Sequence, residues 1–356
     1  MSAYGNRRSK VLEKLPSDLT ALLVTEPTNV RYLTGFTGSN GQVLLDAESC
    51  FFTDGRYQEQ SESQVPDLDR QIYSGSTKLS ELLSKRLADR GVTRLGAEAS
   101  HMTVAGMDRM RKGLDGIELV PTTDLVEGVR ERKDSTEIGS IRRAQEVAEQ
   151  ALVGALREWK GGTELDLALD LEWRIRKEVE GVSFDIIVAG GAHSALPHAE
   201  PRREPIDIEG VLLIDMGAKA EGYCSDMTRT FLGPRAPEEL RKAHKAVLAA
   251  LEAGCAAVRP GVACADVDRA AREVLEKEGL GDLFIHSTGH GVGLEIHEGP
   301  TLTTSAEGSL EPGMVVTVEP GVYIPGVGGI RIEDFLVVTD DGADNLTTLD
   351  RGPDLP

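Results

Sequence analysis

Four acids and a concentration of histidines stand out by type and spacing. Val211-Leu212-Leu213-Ile214 is a continuous apolar run ending in Asp215-Met216-Gly217, and Asp226 follows in Tyr223-Cys224-Ser225-Asp226-Met227-Thr228-Arg229-Thr230. A buried strand that delivers a carboxylate is costly unless the charge is compensated. The glycine-containing turn at 218–222 predicts a hairpin that brings Asp215 and Asp226 together. Two acids on a hairpin are by themselves more often solvated turn residues, so the pair needs support from elsewhere. A second arrangement, built with glutamates, supplies it. Val315-Val316-Thr317-Val318 runs into Glu319-Pro320-Gly321, and Gly329-Ile330-Arg331-Ile332 runs into Glu333, on the same predicted strand face as Arg331. Between the two lies the stretch from Ile285 to Glu298, which carries His286, His290 and His297. Of seven histidines in the chain, five fall in two short segments, the other pair being His193 and His198. Such clustering favours a site over scattered core histidines.

Four carboxylates cannot converge in a cleft without cations. Two divalent ions would neutralise Asp215, Asp226, Glu319 and Glu333, with one histidine completing the set. Oxygen-rich ligation favours manganese, with cobalt or zinc as alternatives. Paired ions of this kind clamp a reacting carbonyl, which suits hydrolysis of an unactivated amide. The Gly289-His290-Gly291-Val292-Gly293 run lacks the Lys-Ser/Thr of a phosphate loop, so its glycines are expected to allow close backbone approach to a metal site. His101 and His244 are expected at the surface or partly buried, and Trp159 and Trp173 in the core.

These residues need strands to deliver them, and the chain has a repeat that could do so. Gly161-Gly162-Thr163-Glu164-Leu165-Asp166-Leu167 echoes Gly261-Val262-Ala263-Cys264-Ala265-Asp266-Val267 at an offset of 100, and Glu178 and Gly181 echo Glu278 and Gly281. Each copy reads as helix, glycine break, second helix, then strands: 211–217 and 222–231 in the first, 314–319 and 329–338 in the second. Two related halves facing each other commonly create a site between them. The first helix is expected to be capped by Ser135 or Thr136 and to end at Lys160-Gly161-Gly162. Ahead of it, the first ~130 residues read as alternating strand and helix, with strands at 21–24, 41–46 and 50–54, a glycine-punctuated loop over 32–41, and helical spacing over 77–90 and 103–113. The fold class is therefore α/β (α+β), divided as 1–130 and 131–356. The length of 356 residues suits about two domains at roughly 150 residues each.

Composition narrows the function. With 39 basic and 59 acidic residues the formal net charge is −20, which disfavours a nucleic-acid partner. No secretory signal and no apolar run of about 18 residues is read, so no membrane partner is expected. Cys50, Cys224, Cys255 and Cys264 show no C-x-x-C spacing and are expected as buried thiols in a reducing cytoplasm.

Ile214-Asp215-Met216-Gly217, Ser225-Asp226-Met227-Thr228-Arg229-Thr230, Gly289-His290-Gly291-Val292-Gly293, Val318-Glu319-Pro320-Gly321 and Arg331-Ile332-Glu333-Asp334, taken in order, resemble the five metal-ligand motifs of the pita-bread-fold metallopeptidases, specifically the small bacterial Xaa-Pro peptidases (aminopeptidase P and prolidase). Asn29-Val30-Arg31-Tyr32-Leu33-Thr34-Gly35-Phe36 and Phe52-Thr53-Asp54-Gly55-Arg56-Tyr57 resemble segments of that family's creatinase-like first domain. The resemblance covers nearly the whole chain. It implies a dinuclear centre in which Asp215, Asp226 and Glu333 hold one ion, Asp226 or Glu333 bridges, and His290 and Glu319 complete the other. It implies that His198, in Ala195-Leu196-Pro197-His198-Ala199, hydrogen-bonds the scissile carbonyl or substrate as an oxyanion forms. His286 and His297 would contact substrate, Glu319 would shuttle the proton to the leaving nitrogen, and Arg331 would orient Glu333 or His297. His193 stands where the family often has Asn and is left without a role. The implied substrate is a proline-containing peptide and the implied assembly a homodimer. Among activities, the Xaa-Pro aminopeptidase is favoured over the Xaa-Pro dipeptidase, and a methionine aminopeptidase is disfavoured by the first domain. The alternative of a different class is a metal-free binding module of the same fold, which would lose ligand residues.

Overall fold

The computed structural model describes residues 2–75 and 78–356, so the predicted start of a helix at Thr77 lies outside the described residues. The chain divides into two compact units, Met1–Arg130 and Glu131–Pro356.

The first unit contains α1 (Ala3–Glu13), β1 (Leu22–Val24), α2 (Pro27–Thr34), β2 (Gly41–Leu45), β3 (Cys50–Asp54), α3 (Gln58–Gln64), β4 (Asp69–Tyr73), α4 (Leu79–Asp89), β5 (Arg94–Glu98), α5 (Val104–Gly113), β6 (Glu118–Thr122) and α6 (Glu127–Arg130). Its six strands form one mixed sheet in the order β4-β3-β2-β1-β5-β6. Residues 32–34, expected in a loop, instead finish α2. Pro27 starts that helix, and Gly35, at φ 79°, ends it by donating to the Arg31 carbonyl. The glycines that suggested a loop mark the helix end, not its absence. Leu23, Leu44, Phe52, Leu83, Leu87 and Leu95 fill the core between the sheet and its helices.

The second unit repeats one theme. The hairpin of α7 (Ser135–Glu158) and α8 (Glu164–Glu178) is followed by β7 (Gly181–Val182), β8 (Ile187–Gly190), β9 (Val211–Met216), β10 (Ala218–Ala220), β11 (Tyr223–Cys224) and β12 (Met227–Leu232). The hairpin of α9 (Glu238–Ala257) and α10 (Cys264–Lys277) is followed by β13 (Gly289–Gly291), β14 (Glu298–Leu302), β15 (Val315–Val318), β16 (Gly321–Ile324), β17 (Gly328–Arg331), β18 (Asp334–Val338) and β19 (Ala343–Asn345). Gly161 (φ 96°) and Gly261 (φ 81°) open the turns into the second helices, and bridges Thr163–Pro205 and Ala263–Ser309 follow them at matching places. Each hairpin packs its apolar face on its own strands. Leu152, Leu171 and Ile175 meet Val188 and Ile214 in one core; Val247, Leu251 and Leu275 meet Val316, Val318 and Ile330 in the other.

Two predicted strands are broken where the chemistry sits. The 222–231 stretch parts into β11 and β12 at Ser225-Asp226, and the 329–338 stretch parts into β17 and β18 at Ile332-Glu333. Trp173 is exposed, not core, and its ring lies under the Lys177 ammonium on the solvent side of α8. Trp159 caps α7 and packs against the core of the first half. His101 is exposed, and His244 is buried more fully than its sequence setting suggests. All four cysteines are free, three of them buried and Cys255 half-buried. No helix among the described residues is long and apolar enough to cross a membrane.

Candidate metal centre and active site

β9 and β12 pair antiparallel, with Asp215 opposite Thr228. Asp226 lies one residue before β12 begins, so the hairpin turns both acids to one place. The Glu333 backbone N–H donates to the Thr228 carbonyl (3.1 Å), which lays the second strand break against the first hairpin. As a result one carboxylate oxygen from each of Asp215, Asp226 and Glu333 lies within 4.8 Å of the others. Asp226 and Glu333 are buried.

His290 and Glu319 form a second group. The Glu319 Oε1 lies 3.3 Å and the Asp226 Oδ2 3.6 Å from His290 Nε2, so Asp226 faces both groups. His290 Nδ1 sits 3.0 Å from the Gly291 carbonyl and must donate there, which leaves Nε2 directed at the acids. Gly289 and Gly291 do allow a close approach, but of strand to strand. A Cβ at Gly289 would lie 2.0 Å from the Thr317 carbonyl oxygen, and one at Gly291 2.0 Å from that of Gly299.

The electrostatics follow from this crowding. Burial, then the charges of Glu333, Asp215 and Glu319, push the Asp226 carboxyl far above the usual carboxylate range. Burial and the charges of Glu319 and Asp215 do the same to Glu333, and burial raises Asp215. Glu319 goes the other way: burial opposes ionisation, but the His290 hydrogen bond and charge hold it below the usual range. His290 is correspondingly raised, burial being outweighed by Glu319.

Three residues the sequence reading passed over complete the centre. The Thr228 hydroxyl donates to Glu333 Oε2 (2.8 Å) and accepts from Arg331 Nε (3.0 Å). The Thr317 hydroxyl donates to Glu319 Oε1 (3.2 Å) and accepts from the His290 N–H (3.1 Å). The Tyr323 hydroxyl accepts from Arg331 Nη1 (2.7 Å) and lies 3.0 Å from His286 Nε2. Thr317 interrupts an apolar strand, where a threonine is ordinary; Thr228, between Met227 and Arg229, and Tyr323 are marked by nothing in their neighbourhood. Arg331 pairs with Asp215 (Nη2 to Oδ2, 2.6 Å), and Glu333 is held instead by Thr228. Arg331 donates to Asp215, Thr228, Tyr323 and the Pro197 carbonyl, so its link to Glu333 runs through the Thr228 hydroxyl.

The other histidines surround this core. His286 engages both ring nitrogens within the protein, Nδ1 at the Ser287 carbonyl (2.8 Å) and Nε2 at Tyr323. His297 is exposed and its ring meets that of His290 edge-on at 4.4 Å. His198 is exposed on the loop after β8, and burial holds His286 and His297 below the usual imidazole range, His290 adding to the effect on His297. His193 is not a free loop residue: its Nδ1 lies 2.9 Å from the buried Glu164.

The donor set suits a divalent cation. Asp215 Oδ1 is buried and lacks a hydrogen-bond partner, three carboxylates repel one another at short range, and an imidazole nitrogen aims at them. Asp215, Asp226 and Glu333 could hold one ion, and Asp226, His290 and Glu319 a second.

Known proteins agree with this architecture. Residues 139–340 match "Metallopeptidase family M24" and residues 7–132 match "Creatinase/Prolidase N-terminal domain". A Xaa-Pro dipeptidase of Pyrococcus furiosus is 32% identical over 96% of this chain and 98% of its own. A solved Xaa-Pro dipeptidase from Bacillus anthracis superposes with a TM-score of 0.94 at 34% identity, covering 99% of each chain. An X-Pro aminopeptidase from Thermotoga maritima gives 0.90 at 33% identity over 97% of this chain and 99% of its own. Carboxylate cluster, duplicated scaffold and near full-length similarity thus converge, and the chain belongs to the M24 metallopeptidases with a creatinase/prolidase-type first domain.

Proposed function

We propose that this protein is an Xaa-Pro dipeptidase that works with two divalent ions, manganese favoured, held by Asp215, Asp226, His290, Glu319 and Glu333. The observation that carries the reading is the convergence of Asp215, Asp226 and Glu333 beside the His290–Glu319 pair. The similarity to two Xaa-Pro dipeptidases over nearly full length favours this over the aminopeptidase expected from the sequence. A second reading, Xaa-Pro aminopeptidase, keeps the support of the Thermotoga maritima structure. Five intact ligand positions speak against a metal-free binding module.

When bound, the ions supply Lewis acidity and make a water acidic enough to attack at neutral pH. Glu319, kept ionised by His290, would take a proton from the attacking water and pass it to the leaving nitrogen. His198, exposed on its loop, donates to the carbonyl oxygen as charge develops there. His297 stands beside His290 where the substrate's carboxylate or carbonyl would lie. His286 works through Tyr323 on Arg331, which fixes Asp215. We further propose a homodimer, on the resemblance of the first unit to creatinase-like domains, and a reducing cytoplasm, on four free thiols.

The test is substrate length. Hydrolysis of an Xaa-Pro dipeptide is compared with that of an Xaa-Pro-Yaa tripeptide, with manganese and with cobalt. Preference for the dipeptide is expected; preference for the tripeptide selects the aminopeptidase. Asp226→Ala and His290→Ala should each abolish cleavage, and metal analysis should find about two ions per wild-type chain.

A further inference from the structure

Two buried acids outside the metal centre grip the segments that carry His198 and His286. Glu164, first residue of α8, is 2% exposed. Its carboxylate accepts from the Gly190 N–H (2.9 Å), the Arg202 N–H (2.9 Å), Arg202 Nε (3.1 Å) and Arg202 Nη2 (3.0 Å), and His193 Nδ1 lies 2.9 Å away. These partners are the two ends and one interior point of the 190–202 loop, whose middle carries His198. The far side of that loop is fixed to the centre, because the Gly329 N–H donates to the Ser194 hydroxyl (2.9 Å) and Arg331 Nη1 to the Pro197 carbonyl (3.3 Å). One carboxylate thus closes the base of a loop whose tip meets the Arg331 network.

The second half has a comparable device on its own second helix, one turn further along and with its arginine on that helix. Asp268 of α10 is fully buried and accepts from the Thr288 N–H (3.1 Å), the Thr288 hydroxyl (2.8 Å) and Arg272 Nε and Nη2 (both 2.9 Å). Arg272 also donates to the Phe284 carbonyl (3.2 Å) and the His286 carbonyl (3.0 Å), with its guanidinium over the Phe284 ring. The acid and its arginine thereby bracket His286 from both sides. Arg202 is itself partly exposed, so its charge contributes little; what fixes geometry is a buried carboxylate that takes a bidentate guanidinium and backbone N–H groups together.

We propose that Glu164 and Asp268 are matched positioning residues, each set on the second helix of one half to hold one active-site histidine in register with the carboxylate centre. His193 then has a role: it is a third point of attachment for the loop through Glu164. The proposal rests on the roles given above to His198 and His286.

The test combines local exchange with crossed kinetic cycles on the full-length, metal-loaded protein. Glu164→Gln should lower kcat by roughly tenfold with KM changed less than about twofold, since small misplacement of a reacting group is costly. It should also speed amide hydrogen exchange over 190–202 by roughly tenfold, and leave 284–288 unchanged. Asp268→Asn should do the reverse, and Arg272→Lys replaces it should the asparagine variant not fold. In a His198→Ala background the Glu164→Gln effect on kcat should vanish while the Asp268→Asn effect persists; in His286→Ala the pattern should invert. Equal factors in both backgrounds, or exchange changes spread evenly over the unit, overturn the proposal. Full activity of His198→Ala or His286→Ala instead overturns the role given to that histidine, and the exchange data still decide the clamp.

Discussion

At the residue scale, the centre depends on small hydroxyls as much as on the charged ligands. Thr228 stands between Glu333 and Arg331 and bonds both, so Thr228→Val removes two contacts while keeping shape. A lost partner of this kind typically costs about 10–100-fold in metal affinity or activity; manganese titration by calorimetry should show it, and unchanged affinity would sink the idea. The clustering of the acids was legible because acids at the ends of apolar strands have no cheap structural explanation. Thr228, Thr317 and Tyr323 were not, because threonine and tyrosine are ordinary strand residues whose partners come from distant segments. The acids also carry a pH signature. In metal-free protein Asp226 and Glu333 keep protons that the unfolded chain releases near pH 4, so their contribution makes stability fall as pH rises from there through their raised values. Asp226→Asn removes one of the repelling charges. After chelation it should melt above wild type at pH 8, with the gap narrowing at pH 5; scanning calorimetry that finds the variant less stable at both values contradicts the assignment.

At the scale of elements, strand breaks and glycines set the ligands. The periodicity of 222–231 and 329–338 reads as unbroken strand because the residues on each side are apolar, yet both ladders open at an acid. Pairing between distant strands decides this, and local pattern does not contain it. The helical hairpins and their offset of 100 were readable, because glycine breaks and apolar stripes are local signals. Close approach is the other determinant. At Gly289 an added Cβ would lie 2.0 Å from the Thr317 carbonyl oxygen, so β13 and β15 would have to part. Gly289→Ala should therefore cost about 2 kcal/mol or more in urea unfolding, and should weaken metal binding because His290 moves with its strand. Wild-type stability in that variant would show that the strands separate freely.

At the scale of the catalytic unit, the segment after β19 ties the second half to the first. Leu346 donates to the Phe335 carbonyl (2.7 Å) on β18, Thr348 donates to Glu149 on α7 (backbone N–H, 2.6 Å), and the Leu232 N–H donates to the Pro353 carbonyl (2.8 Å) on the way back. Nothing in the composition of 346–353 announces this: beside the Thr348–Glu149 contacts and an Arg351–Asp334 ion pair, the segment offers the Leu349 and Asp350 carbonyls. Their partner is Arg229, 1% exposed, which donates to the Leu349 (2.8 Å), Asp350 (2.9 Å) and Glu333 (2.5 Å) carbonyls and to Asp334. Burial of a guanidinium is tolerable only while its donors are met. Ending the chain at Thr348 strips two acceptors from Arg229, and each orphaned donor should cost about 1–3 kcal/mol. The same guanidinium holds the Glu333 carbonyl, so the truncation should lower manganese affinity as well as the melting temperature. Asp350→Ala is the matching control: it keeps the backbone carbonyl that Arg229 uses and should stay within about 0.5 kcal/mol of wild type. A truncated chain that melts and binds manganese like the full one would show that Arg229 finds water in place of the tail, and that the two halves are held by their sheets alone.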